Sequence, residues 1–294
     1  MGCEGKLNFS VEGKSILVTG ATSGIGLASA KILAKMGAFV IGVGRDASRN
    51  ESAKAKVLSE NPGARIVYIL ADLASQDQVR RLAKDLFTLL DAHGINALDV
   101  LVNNAGIYLE KKQYSVDVIE KTFAVNHLAP FLLSNELLPL LRNAEKPRIL
   151  TVTSYSHRTT PMILSRLTDP WPYIGLLAYK RSKLCNVLFT YEFNRRIDGN
   201  IQAFAVDPGL VNTSIASKGS DGISDRVWRV RRKQGTKSGI PAKTVAYLSG
   251  AEQVDISQGY YFKNCFPLQP SLLARDKNLA QELWNLSSDL TNIE

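Results

Sequence analysis

Residues Ser15-Ile16-Leu17-Val18-Thr19-Gly20-Ala21-Thr22-Ser23-Gly24-Ile25-Gly26 decide the fold. A short β-branched strand, Ser15–Thr19, runs into a glycine-rich turn, and Ile25–Met36 continues as an apolar-periodic helix that Gly37 stops. The pattern is TGxxxGxG at a strand–turn–helix junction. Glycines there let the backbone approach a pyrophosphate, and the helix start supplies aligned N–H groups with a partial positive charge. Glycine triplets also occur in plain turns. Coming directly after the first strand, this one reads as a dinucleotide cradle built from Gly20, Thr22, Ser23, Gly24, Ile25 and Gly26.

The same alternation repeats outward. Strands are expected at Phe39–Val43, Arg65–Leu70, Leu98–Val102, Arg148–Thr153, Ile201–Val206 and Gly259–Phe262. Helices are expected around Ala53–Ser59 and at Asp77–Ala92, Asn126–Leu141, Ala178–Arg196 and Leu279–Leu290. Continuous Val/Ile/Leu runs separated by helices imply strands buried on both faces of a parallel sheet. Residues 1–294 therefore read as one α/β domain, a doubly wound (Rossmann) fold of about seven parallel strands flanked by helices. Two segments, about 155–177 and 210–240, break the pattern after strand ends, where open α/β sheets bind ligands.

Composition narrows the class. Of 294 residues, 45% are hydrophobic and 21% charged, which excludes a disordered chain. Three scattered cysteines and three scattered histidines exclude a disulfide scaffold, a zinc ribbon and a His-rich centre, so no metal site is expected. The start has no secretory h-region, and no apolar run is long enough to span a bilayer. Met1-Gly2-Cys3 faintly suggests acylation, but Lys6 stands where that pattern wants Ser or Thr, so a frayed leader is the plainer reading. A cytoplasmic protein is expected. The net charge of +9 favours anionic partners without choosing among them.

The strand ends carry the chemistry. After the second strand, Gly42-Val43-Gly44-Arg45-Asp46 has no acid at the strand end itself, and Arg45 comes first. A guanidinium there suits a ribose 2′-phosphate, so NADP(H) is expected, with Ser23 able to add a hydroxyl. Asp46 reads as the start of the next helix. Asp72-Leu73 ends the third strand, as an adenine contact or a helix cap. Asn104-Ala105-Gly106 follows the fourth strand, where small residues let backbone lie near a cofactor or simply make a turn. Tyr179 and Lys183 lie on one helix face, where an ammonium would lower the phenol pKa toward a range useful for acid–base catalysis. A second YxxxK copy, Tyr108 to Lys112, lies in a polar stretch and reads as solvated surface. Ser154 ends the fifth strand, where its hydroxyl can bond a substrate oxygen. Asn126 starts a helix, as an N-cap or a site residue.

TGATSGIG, NNAG, Asn126, Ser154, Tyr179-xxx-Lys183 and Asp207-Pro208-Gly209, in that order, resemble the short-chain dehydrogenases/reductases over essentially the whole chain. The resemblance implies a tetrad. Tyr179 would be the acid/base, Lys183 would bind the nicotinamide ribose, Ser154 would position the carbonyl and Asn126 would hold a relay water. Pro208 and Gly209 would sit by the nicotinamide. Ala178–Asn186, Gly259–Cys265 and Leu283-Trp284 are similar to the retinol-dehydrogenase-like branch, including the WW-domain oxidoreductases. Light-dependent protochlorophyllide reductases share the stretch around Cys185, whose counterpart there has a proposed proton-donor role. The long gap from Ser154 to Tyr179 suggests an inserted segment, so the core motifs do not reveal the substrate.

The expected substrate is an apolar aldehyde, ketone or alcohol of retinoid, steroid or lipid type, with Met162, Ile163, Leu164, Trp171, Pro172, Tyr173, Ile174, Leu176 and Leu177 either lining its pocket or packing the insertion. Arg226–Lys237 is basic throughout, and reads as a helix on an anionic membrane surface or as a solvated face. Nucleic-acid binding is not expected. His157 reads as a surface residue or a substrate contact. The resemblance also implies a homodimer through Asn126–Leu141 and Ala178–Arg196. Two other readings remain: a cofactor-binding regulatory or scaffold protein with little turnover, and a reductase of a secondary metabolite or xenobiotic.

Overall fold

The computed structural model describes residues 9–197, 199–209 and 238–293. In chain order the elements are β1 (Ser15–Thr19), α1 (Gly24–Lys35), β2 (Phe39–Gly44), α2 (Ala47–Glu60), β3 (Ile66–Leu70), α3 (Gln76–Ala92), β4 (Val100–Asn103), α4 (Lys121–Phe123), a π-helical turn (Ala124–Leu128), α5 (Ala129–Glu136), α6 (Leu138–Arg142), β5 (Arg148–Val152), α7 (Gly175–Arg196), β6 (Gln202–Val206), α8 (Gly239–Gly250), β7 (Tyr261–Lys263), β8 (Phe266–Leu268) and α9 (Lys277–Thr291). The eight strands make one sheet in the order β3-β2-β1-β4-β5-β6-β7-β8. Seven run parallel, and β8 pairs antiparallel with β7.

Alternation along β1 shows how the layers form. Ile16 and Val18 face one side with Leu33 of α1 and Val245 of α8. Leu17 faces the other with Leu82 and Leu86 of α3 and Phe131 of α5. Both faces are covered, so β1, β4 and β5 are buried along their whole length. Sheet order reverses between β1 and β4, and the crevice for a ligand opens there, beyond the strands' carboxyl ends.

Three expectations change. The sheet has an eighth strand, because Asn264 and Cys265 take positive φ (52° and 67°) and close a two-residue hairpin without the glycine that usually announces one. Helix α8 was not foreseen between the irregular stretch ending at 240 and the strand expected at 259; it is buried on most sides, so its sequence carries no polar stripe. The helix expected to start at Asn126 begins at Lys121. Glu120 caps it, accepting from the backbone N–H groups of Thr122 and Phe123, and Asn126 lies inside the π-helical turn, so it is not an N-cap. The basic segment Arg226–Lys237 lies outside the described residues. Among the described residues no helix is long and apolar enough to cross a membrane.

Helix α9 folds back across α5 and α7. Trp284 sits edge-to-face with Phe131 at 5.0 Å, stacks with Phe189 at 6.0 Å and lies 6.4 Å from Phe193. The helices on which the resemblance places a homodimer are thus partly covered by the chain itself. Beneath α9, His127 Nε2 lies 2.9 Å from Ser287 Oγ. Because that hydroxyl donates to the Leu283 carbonyl, the imidazole donates to it through Nε2. Burial pushes His127 down to about 3, so the folded protein holds it neutral.

Between pH 6.5 and 3 the unfolded chain binds the His127 proton and the folded chain does not, so stability falls as pH falls through that window. This one group is expected to remove about 2 kcal/mol between pH 7 and pH 5. Urea denaturation at both pH values checks it; a His127→Gln variant should lose that difference, and an unchanged pH dependence refutes the assignment.

Candidate active site

The first and fourth strand ends are stitched together. Thr19 Oγ1 accepts from the N–H groups of Asn104 and Ala105, each at 3.0 Å, and Asn104 Nδ2 donates to the Thr19 carbonyl at 2.8 Å. Gly26 packs against this knot. A Cβ there would lie 2.3 Å from the Gly20 carbonyl oxygen and 2.4 Å from Asn104 Nδ2, so no side chain fits. Ser23 occupies the N-cap of α1 but its side chain does not cap the helix, which leaves first-turn N–H groups directed at the crevice.

A second glycine has a different reason. Gly42 pairs with Tyr68 in the β2–β3 register, and the Tyr68 ring crosses over it; a Cβ at 42 would be 2.4 Å from the ring. Tyr68 Oη then donates to the Ala21 carbonyl at 3.0 Å, and Ala21 N–H donates to the Val43 carbonyl at 3.2 Å. The turn is therefore held from both sides, with its carbonyl tied back toward the sheet. Burial raises the Tyr68 phenol to about 12, so it stays a donor at neutral pH. Tyr68→Phe keeps the ring and removes this bond. Its expected effect is a rise of about 2- to 10-fold in cofactor Kd with kcat unchanged, measured by fluorescence titration beside steady-state kinetics.

A cleft of about 430 Å³ opens over this edge. Its walls include the expected Gly20, Thr22, Ser23, Gly24, Ile25, Arg45, Asp72, Leu73, Asn104, Ala105, Gly106, Ser154, Tyr179, Lys183, Pro208 and Gly209. Gly26 and Asn126 are not among them. Asp46 caps α2 by accepting from Arg49 N–H at 2.9 Å. Asp72 does not cap α3: Ser75 does, while Asp72 Oδ1 accepts from Ala74 N–H. Arg49, which the sequence reading missed, lines the cleft beside Arg45 and donates to Ser23 Oγ at 3.4 Å. It lies in the first turn of α2, four residues beyond Arg45, which was the available signal.

At the other end β5 and α7 bring Ser154, Tyr179 and Lys183 together. Thr153 Oγ1 locks the strand end to α7 by donating to the Lys183 carbonyl at 2.7 Å. Lys183 Nζ donates to the Val152 carbonyl at 2.9 Å and lies 5.7 Å from the Tyr179 ring centre. Burial pushes the Tyr179 phenol up to about 12, with hydrogen bonding to Ser154 acting against the rise, and pushes Lys183 down to about 8. The Tyr179 direction is opposite to the sequence expectation, because desolvation outweighs the lysine, which sits over the ring face.

Asn126 is fully buried behind the cleft wall at Gly106 and supports it. Its Oδ1 accepts from Ile107 N–H at 2.8 Å, and its Nδ2 donates to the Ile107 carbonyl at 3.0 Å and to Ser182 Oγ at 2.9 Å. Ser182 Oγ in turn donates to the Tyr179 carbonyl at 2.8 Å. Asn126 thus ties the loop after β4 to the helix that carries Tyr179.

Two sequence readings are corrected here, for Tyr108 and His157, and two open alternatives are narrowed. Tyr108 is not solvated; it is 7% exposed, meets Tyr179 edge-to-face at 6.1 Å and lines the cleft, while Lys112 turns away to pair with Asp169 at 2.8 Å. His157 is not a surface residue; it is buried, with Nδ1 2.8 Å from the Ser154 carbonyl and Nε2 accepting from Ser271 N–H at 3.2 Å. Cys185 is packed in the apolar core with Leu184 and Leu188, and burial raises its thiol, so nothing presents it as a proton donor in the cleft. The apolar residues between 162 and 177 do not line the described cleft: Met162 and Leu164 pack against the core around Leu167, while Ile163, Trp171, Ile174 and Leu176 are exposed.

The family model for short chain dehydrogenases matches residues 14–223, and the chain belongs to that family. Its relatives place it in the retinol-dehydrogenase-like branch. It is 31% identical over 288 residues to retinol dehydrogenase 12 of Mus musculus, covering 98% of this chain and 89% of that one. It is 37% identical over 289 residues to the WW domain-containing oxidoreductase of Danio rerio, covering 94% and 68%. Among solved structures, a short chain dehydrogenase from Burkholderia cenocepacia J2315 in complex with NADP superposes with a TM-score of 0.65 at 29% identity, covering 90% of this chain and 99% of that one. The protein is an oxidoreductase of this family.

Proposed function

We propose that the chain is an NADP(H)-dependent oxidoreductase that interconverts an apolar carbonyl compound, of retinoid, steroid or lipid type, and its alcohol. The observation that carries this reading is the convergence of Ser154, Tyr179 and Lys183 at one end of a cleft whose other end is a side-chain-free cradle beside Arg45 and Arg49. The cradle fits a dinucleotide: a Cβ at Gly26 would collide with backbone, and the two guanidiniums suit a 2′-phosphate. Gly20 to Gly26, Arg45, Arg49, Asp72, Leu73, Asn104, Ala105, Gly106, Pro208 and Gly209 would hold the cofactor.

When bound, NADPH supplies the hydride that the carbonyl carbon accepts. Tyr179 donates its phenolic proton to the carbonyl oxygen, and Ser154 donates a hydrogen bond to the same oxygen as negative charge grows on it. The Lys183 ammonium, close over the Tyr179 ring, favours the phenolate left behind. A phenol raised to about 12 is protonated at neutral pH, which favours the reductive direction. Asn126 acts through the loop it anchors. Self-association through α5 and α7 would have to accommodate α9, which the Trp284 packing opposes.

The test is NADPH oxidation against NADH over retinal, long-chain aldehydes, steroid ketones and quinones. Turnover that prefers NADPH supports the reading. Tight NADPH binding without turnover on any class points instead to a regulatory protein. Arg45→Glu is expected to lower the NADPH-over-NADH preference in kcat/KM by about 10- to 100-fold, since a charged hydrogen bond to phosphate is worth about 1.5–3 kcal/mol. An unchanged ratio removes Arg45 from the phosphate site.

A further inference from the structure

Beyond the reacting groups, three neighbouring strand ends lie side by side at the carboxyl edge of the sheet: Ser154-Tyr155 after β5, Gly209 after β6 and Lys263 at the end of β7. Tyr155 directly follows a residue that lines the cleft, yet 58% of it is exposed. Two cations are held against its ring: the Arg158 guanidinium at 5.4 Å and the Lys263 ammonium at 5.9 Å from the ring centre. Lys263 also borders the cleft, since its Cε lies 3.6 Å from where a Cβ on Gly209 would stand. Among the described residues, neither cation is in an ion pair with a carboxylate. Arg158 Nε is moreover buried with no hydrogen-bond partner there. The carboxylate that ends β6, Asp207, cannot neutralise them: it is buried and already accepts from Tyr261 Oη at 2.6 Å and Gly209 N–H at 2.9 Å.

Positive charge fixed over an open aromatic ring, at the rim of a site and without a matching acid, is an arrangement for an anion attached to an apolar body. We infer that Tyr155, Arg158 and Lys263 form an anion subsite, and that the carbonyl substrate carries a carboxylate or phosphate away from its reacting carbon. This rests on the carbonyl-reductase reading of the same cleft and sharpens its substrate class. It also agrees with the absence of the apolar 162–177 side chains from the described cleft walls.

The test is binding, which does not depend on turnover. The complex of the enzyme with NADPH is titrated with monomeric decanoate, decyl phosphate and decanol, following cofactor fluorescence. The anions are expected to bind at least about 10-fold more tightly than decanol, with the preferred one of the two identifying the group. Lys263→Gln and Arg158→Lys should each cut that advantage about 3- to 10-fold and leave decanol unaffected, and added salt should weaken only the anions. Lys263→Gln alters a part-exposed side chain, so folding does not confuse the result. Equal affinity for decanol, or anion binding untouched by Lys263→Gln, overturns the subsite. A response to anionic vesicles alone, with none to monomeric decanoate, also overturns it and assigns the patch to a membrane surface. Failure of the carbonyl-reductase reading would show separately, as absence of turnover with intact anion binding.

Discussion

Tyr179→Phe is expected to lower kcat by about 10²- to 10⁴-fold while leaving NADPH affinity unchanged, because only the proton donor is lost. The ring that packs on Tyr108 and lies under Lys183 remains, so neither the cleft wall nor the fold is disturbed. The burial that raises the phenol to about 12 bears on the pH profile as well. Reduction should run with the phenol protonated across neutral pH and lose no rate to its deprotonation below about pH 9. Oxidation of the alcohol, which needs the phenolate, should instead gain rate as pH rises. Stopped-flow hydride transfer in both directions separates these limbs. Retained kcat in Tyr179→Phe would remove the tyrosine from the acid role.

Gly26→Ala is expected to be the most damaging small change. The added methyl would press on the Gly20 carbonyl and on Asn104 Nδ2, which donates to that carbonyl at 3.4 Å and to the Thr19 carbonyl at 2.8 Å, so neither can move without straining the stitch between the first and fourth strand ends. Overpacking of this kind costs about 1–3 kcal/mol, which at this chain length is roughly 2–10 °C in Tm. The cradle must also distort, so NADPH affinity should fall by more than 10-fold even where the protein folds. Gly63→Ala is the control: nothing lies within 4 Å of its added methyl and its φ is ordinary. Differential scanning fluorimetry with and without NADPH measures both effects. A Gly26→Ala protein with normal Tm and normal NADPH-induced stabilisation would show that the close approach is not real.

Much of this was legible in the sequence where a residue's role is local. Ser15–Gly26 announces strand, turn and helix within one stretch, and strand ends at Asn104, Ser154 and Pro208 carry small or hydroxyl residues in plain view. What was not legible depends on partners distant in sequence. Tyr108 sits among Glu110, Lys111 and Lys112, and only its packing on Tyr179 reveals it as a cleft wall. Gly42 reads as a strand weakness until Tyr68 crosses it. His157 looks like a loop residue until Ser271, far along the chain, donates to it. Asn126 reads as a cap because Glu120, the real cap, is an uncommon choice of residue. Helix α8 is buried on most sides, so hydrophobic periodicity has little to detect.

The position of α9 has a consequence for how the molecule is made. Phe131, Phe189 and Phe193 are synthesised well before Trp284, the residue that covers them. During synthesis an aromatic face on α5 and α7 therefore stays uncovered until α9 emerges. His127 waits for Ser287 over the same interval. Assembly of the face around Tyr179's helix thus waits for α9, and the nascent chain is at its most adhesive just before that helix emerges.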